Sequence, residues 1–118
     1  MTYSAPGRFP EKSFKALADF RYALRCFLSF SERAAGEAGL SPQQYQTLLA
    51  IKGGREASLG IKDIAERLLI RHHTAVELVD RLEENGFVTR LRDIEDARRV
   101  LVQPTAKGDC IMDGLAAA

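Results

Sequence analysis

From Glu11 to about Glu37 the chain holds no proline, and no glycine before Gly36, while its apolar positions recur at helical spacing. Leu17, Leu24, Leu28 and Ala35 form one stripe, and Phe20, Phe27, Ala34 and Phe30 form a second directly beside it. Together they cover nearly half of the helical wheel, whereas a helix packed once against its own core shows an apolar arc of about 100° or a little more. The surplus calls for a second partner, and in a short chain the simplest one is another copy of itself. A helix buried more deeply in its own domain is the alternative.

A second helix start is marked by Ser41-Pro42-Gln43-Gln44, which puts Ser at the N-cap, Pro at the first helical position and Gln three residues after the cap. Tyr45, Leu48 and Leu49 follow as its inward side chains, with the stem of Lys52, and Gly53-Gly54 stops the run. Ile61, Ile64, Ala65 and Leu68 then outline a short helix of about two turns. Arg71 to Asn85 is the next helix, with Ala75, Val79 and Leu82 inward and Asn85-Gly86 as its left-handed stop.

After Gly86 the period changes from that of a helix to that of a strand. Phe87 to Arg92 alternates, Asp93 to Arg98 is a charged connection, and Arg99 to Gln103 is the returning strand of a β-hairpin. Pro104 and Thr105 close the strand and cap a last helix bearing Ile111, Met112 and Leu115. The order helix, short helix, helix, hairpin predicts a mainly α (α+β) fold, a winged helix-turn-helix with a long N-terminal dimerisation helix and a two-stranded β-wing. The expected divisions are an N-terminal arm at 1–10, the dimerisation helix at 11–39, the winged unit at 40–104 and a C-terminal helix at 105–118.

At 118 residues and 46% hydrophobic, the chain is long enough for one domain to fold without disulfide or metal staples. The longest apolar run is four residues, and Met1 to Pro10 has no basic-then-apolar leader pattern, so no membrane association and a cytoplasmic location are expected. Cys26 and Cys110 form neither a CxxC pair nor a zinc spacing. Cys26, between Arg25 and the apolar Phe27 and Leu28, reads as a small buried hydrophobe rather than a reactive thiol. There is no Gly-rich phosphate loop, no nucleophile elbow and no paired carboxylates beside a pocket histidine, so no enzymatic activity and no cofactor are expected.

Between Ile61 and Gly108 nine Lys or Arg face nine Asp or Glu, so any attraction to a polyanion must be local. Arg71, His72 and His73 open the second helix of the pair, the one that in this topology lies in the major groove of DNA. His72, His73 and Thr74 are the expected base-edge contacts and Arg71 the phosphate contact there, while Arg90, Arg92, Arg98 and Arg99 load the hairpin. Adjacent helical histidines point about 100° apart and are poorly placed to chelate one ion, so no metal site is assigned.

The stretch from Leu40 to Gly108 resembles the MarR family of bacterial transcriptional regulators. The resemblance rests on Leu40 to Tyr45, Ile64 to Leu68, Thr74, Val79 to Val88, Arg90, and above all Asp96-Ala97-Arg98 with Thr105-Ala106-Lys107-Gly108 seven residues beyond the Arg. It implies a homodimer that binds a pseudo-palindromic double-stranded operator, usually as a repressor, and that a small aromatic ligand or an oxidant releases. It also implies that Arg98 enters the minor groove and that Asp96 holds it in place, with Arg90 and Arg99 beside them. Leu17, Phe20, Leu24, Phe27 and Phe30 fall where the family dimerises. Arg71 replaces a common capping Ser, Ala97 a frequent second Arg and Pro104 a usual Leu. The C-terminal helix is shorter than the family's, so a dimer of reduced interface is expected. The alternative is a winged-helix protein-interaction or dimerisation module without DNA binding.

Overall fold

The computed structural model describes residues 11–116. The predicted arm at 1–10 lies outside the described residues. Five helices run in the order α1 (Glu11–Glu37), α2 (Pro42–Lys52), α3 (Ile61–Leu68), α4 (His72–Glu84) and α5 (Ala106–Ala116), with strands β1 (Leu59–Gly60), β2 (Val88–Arg92) and β3 (Val100–Pro104). A single 3-10 turn at Arg55–Ala57 joins α2 to β1. This is a winged helix-turn-helix behind a long first helix, and no described helix is long and apolar enough to cross a membrane.

The core is assembled from the helices after α1 and the sheet, with Ala35 of α1 joining it. Leu48 and Ile51 of α2, Ile64 of α3, Val79 and Leu82 of α4, Val88 of β2 and Val102 of β3 are sealed from solvent, and Met112 of α5 closes the edge. Helix α2 starts as its sequence requires: the Ser41 hydroxyl accepts from the Gln44 backbone N–H at 3.1 Å, and the Ser41 N–H donates to the Gln44 side chain at 3.0 Å. Leu49 departs from expectation, because the inward stripe of α2 runs through Thr47, Leu48 and Ile51 and leaves Leu49 half exposed.

The wing has a third strand. Leu59 pairs with Val102 and Gly60 with Leu101, so β3 lies between β1 and β2, and all pairs are antiparallel. Two residues are too few to show a period, which is why the pattern alone gives only the hairpin.

Three helices close in the same way, with a left-handed residue followed by an N–H reaching back over the last turn. Leu40 N–H meets Ala35 O at 2.9 Å, Ile70 N–H meets Ala65 O at 3.0 Å, and Phe87 N–H meets Leu82 O at 2.9 Å. The left-handed residue is Gly39 in the first and Gly86 in the third, but Leu69 in the second, at φ 57 and almost fully exposed. A Cβ in that region costs about 1–2 kcal/mol. Leu69→Gly is therefore expected to raise the urea midpoint, with a gain of about 1 kcal/mol after the entropy that glycine adds to the unfolded chain is subtracted.

The Thr-x-x-Gly segment staples α5 to the hairpin. The Thr105 hydroxyl donates to Gly86 O and accepts the Gly108 N–H at 3.2 Å, while the Thr105 N–H donates to Phe87 O at 2.9 Å. A Cβ on Gly108 would lie 2.2 Å from that same Phe87 oxygen. Gly108→Ala must push α5 off the sheet, an overpacking cost of about 1–3 kcal/mol, to be seen as a lower Tm and a lower urea midpoint.

Helix α1 stands apart. Of its described side chains only Ala35, in the last turn, is fully buried, and every residue from Phe14 to Phe30 is exposed. Its thiol follows suit: Cys26 is exposed rather than buried, because nothing among the described residues covers the middle of α1.

Candidate nucleic-acid interface

One open cleft of about 760 Å³ gathers the chemistry. Lys62 and Asp63 come from the first turn of α3, His72 from the start of α4, and Asp96, Arg98 and Arg99 from the wing, above a floor of Gly60, Ile61 and Val100. The start of α4 is polar and open. Arg71, His72 and His73 are exposed and Thr74 is half buried, and the N-cap Arg71 makes no side-chain cap bond. The first N–H groups of the helix thus point outward without a side-chain acceptor, where the helix dipole favours an anion.

The loop between β2 and β3 is polar in sequence but well braced. The Asp93 N–H donates to Arg99 O at 2.9 Å and closes the neck. The Asp93 carboxylate accepts the Glu95 N–H at 3.0 Å, and the Asp96 carboxylate accepts the Arg98 N–H at 3.0 Å. The Asp96 carbonyl accepts the Arg99 N–H at 2.9 Å, and the Arg92 guanidinium donates to Ala97 O at 2.5 Å. Asp96 therefore acts mainly on the backbone of Arg98. Its reach to the Arg98 side chain is long, 3.5 Å to Nε, and the guanidinium stands 94% exposed. A tethered backbone with a freely presented head group reduces what binding must order.

Two of the expected contact residues are committed elsewhere. The Arg90 guanidinium lies between Asp80, at 2.6 Å, and Glu83, both on α4, and its side chain is three-quarters buried. Partial burial disfavours its charge, but the hydrogen bond it donates to Asp80 and the charge of Glu83 overcompensate and hold its pKa above the usual arginine value. Arg90 thus ties β2 to α4 through two carboxylates. Arg99 stays in the cleft but is paired with Asp63 at 2.5 Å, with its side chain half exposed. It passes over Gly60, where a Cβ would come within 3.0 Å of its Nε. Lys62 joins the cleft without having been anticipated, since a single lysine on a short helix carries no signal until the wing is placed opposite it.

The other expected set, Leu17, Phe20, Leu24, Phe27 and Phe30, lies on α1 with exposures from 42% to 65%. Phe14, Tyr22 and Leu28 extend this surface. Contiguous aromatic exposure on this scale marks an association face. It is separate from the cleft in composition and in element.

The comparisons with known proteins agree with this layout. The sequence model of the MarR family matches residues 38–99. The HTH-type transcriptional regulator SarZ of Staphylococcus saprophyticus is 38% identical over 79 residues, covering 67% of this chain and 53% of SarZ. YkoM of Bacillus subtilis, an uncharacterized HTH-type transcriptional regulator, is 32% identical over 108 residues, covering 87% of this chain and 68% of YkoM. Among solved structures, CouR from Rhodococcus jostii RHA1, bound to p-coumaroyl-CoA, superposes with a TM-score of 0.70 at 27% identity, over 82% of this chain and 67% of CouR. The chain spans about half the length of SarZ and two thirds of YkoM. With a family model that matches more than half of the chain and a relative 32% identical over 87% of it, the chain belongs to the MarR family of transcriptional regulators.

Proposed function

We propose that this chain is a sequence-specific binder of double-stranded DNA that acts as a homodimeric repressor on a pseudo-palindromic operator. One observation carries the reading: an arginine that is 94% exposed on a hydrogen-bonded wing shares a single cleft with the uncapped tip of the recognition helix. The helix tip, with His72, His73 and Thr74, faces the base edges of the major groove, and Arg71 and Lys62 face phosphates beside it. Arg98 enters the neighbouring minor groove, whose negative potential attracts a guanidinium. The exposed face of α1 supplies the two-fold partner, so that two such cleft units meet successive half-sites.

Release by a small aromatic ligand completes the proposal, supported by the p-coumaroyl-CoA found in CouR. The test is selection of bound sequences from random duplex DNA, with and without Arg98→Ala. A two-fold site with half-sites about one helical turn apart, lost on that substitution, supports the reading. Enrichment of no sequence by the unaltered chain overturns it.

A further inference from the structure

The wing tip carries one side chain that neither charge nor packing accounts for. Ile94 is 100% exposed in a loop whose other side chains are charged apart from Ala97. Its backbone is not loose. Asp93 on one side is hydrogen-bonded to Arg99 across the neck, and Glu95 on the other is held by the Asp93 carboxylate. The side chain is thus presented by a tethered turn, like that of Arg98, and on the opposite face of the wing.

The two hollows beside the wing mark its two sides. Val100 and Arg98 line the cleft toward the recognition helix, whereas Leu91, Leu101 and Ile94 line a hollow of about 410 Å³ behind the sheet. A finger inserted in the minor groove, which is about 6 Å wide in B-form DNA, touches both walls at once. Arg98 meets one wall. On the other side the Arg92 guanidinium is held on Ala97 O, the Arg99 guanidinium on Asp63, and Glu95 carries the wrong sign for phosphate. What remains to fill that wall is an apolar side chain, and the deoxyribose faces that line the groove are themselves largely apolar.

We infer that Ile94 is a DNA-contacting residue of the wing, packing against the deoxyribose wall of the minor groove opposite the one that receives Arg98. The inference rests on the DNA-binding reading above and adds to it a contact that neutralises no phosphate. That difference makes it measurable. Loss of a cationic contact lowers affinity and flattens its dependence on salt, because fewer counterions are released; loss of an apolar contact lowers affinity and leaves that dependence alone. Burial of apolar surface also gives a negative heat-capacity change on binding.

The experiment takes the full chain and the duplex that it selects, and measures Kd over a salt series with calorimetry for the unaltered protein, Ile94→Ala, Ile94→Val and Arg98→Ala. Ile94→Ala is expected to weaken binding about ten-fold, with an unchanged salt slope and a less negative heat-capacity change, while Ile94→Val stays within about three-fold of the unaltered protein. Because nothing packs on Ile94, all variants should keep the same Tm. Ile94→Ala binding within two-fold of the unaltered protein, or losing affinity with the flattened slope of Arg98→Ala, overturns the inference and leaves the DNA-binding reading standing. A chain that selects no duplex sinks both.

Discussion

Arg98→Ala is expected to weaken operator binding by about thirty- to twenty-five-thousand-fold while leaving the fold intact. Each specific groove contact by an arginine is worth about 1–3 kcal/mol, and a dimer presents the residue twice, so the losses combine to about 2–6 kcal/mol. The salt dependence should change as well, with a slope shallower by about two units if both guanidinium groups displace counterions. Stability should barely move. The side chain is 94% exposed and its contact with Asp96 is at the limit of an ion pair, so its removal falls within about 0.5 kcal/mol of neutral. Fluorescence anisotropy with a labelled duplex at two salt concentrations reads the first two effects, and thermal unfolding reads the third. A Kd within three-fold of the unaltered protein would remove Arg98 from the interface.

The second large effect lies on α1. Phe20→Asp combined with Phe27→Asp is expected to convert the dimer to monomer at tens of micromolar, as read by sedimentation equilibrium. The two positions are two helical turns apart on one stripe, with exposures of 65% and 63% in the single chain. In a dimer each buried aromatic ring contributes a large apolar area, and a carboxylate in its place must be desolvated in both copies at once. The winged unit should keep its secondary structure, since the residues from Leu17 to Phe30 make no part of its core. DNA affinity should fall with the dimer, because a monomer engages one half-site and loses the effective concentration that joins two. A double variant that still sediments as a dimer would move the interface off this face.

The two effects separate the duties of the molecule. Arg98→Ala is expected to alter DNA binding without altering assembly, whereas the phenylalanine pair is expected to alter assembly first and DNA binding through it. Arg90 shows what the sequence alone leaves undecided about such residues. In the alternation of β2 it stands two positions from Arg92, with nothing to set the two arginines apart. Only the turn at Asn85-Gly86 folds β2 back along α4 and brings Asp80 and Glu83, ten and seven residues away, onto one guanidinium. Asp80 and Glu83 are thereby the partners of a cation expected to face DNA.

What the sequence determined by itself was whatever depends on near neighbours. The cap at Ser41 and Gln44, the stop at Gly86, the change of period into the hairpin and the wing spacing from Asp96 to Gly108 are each written within a few residues, because caps, turns and strand alternation are local in their physics. The wide apolar face of α1 was legible for the same reason. Tertiary structure alone decided what depends on distant partners: the two-residue β1, the commitment of Arg90 to α4, the pairing of Arg99 with Asp63 and the arrival of Lys62 in the cleft. It also decided exposure. A helical wheel tells which residues share a face, but whether that face is covered depends on how the rest of the chain packs, and here it leaves Cys26 and the phenylalanines of α1 bare.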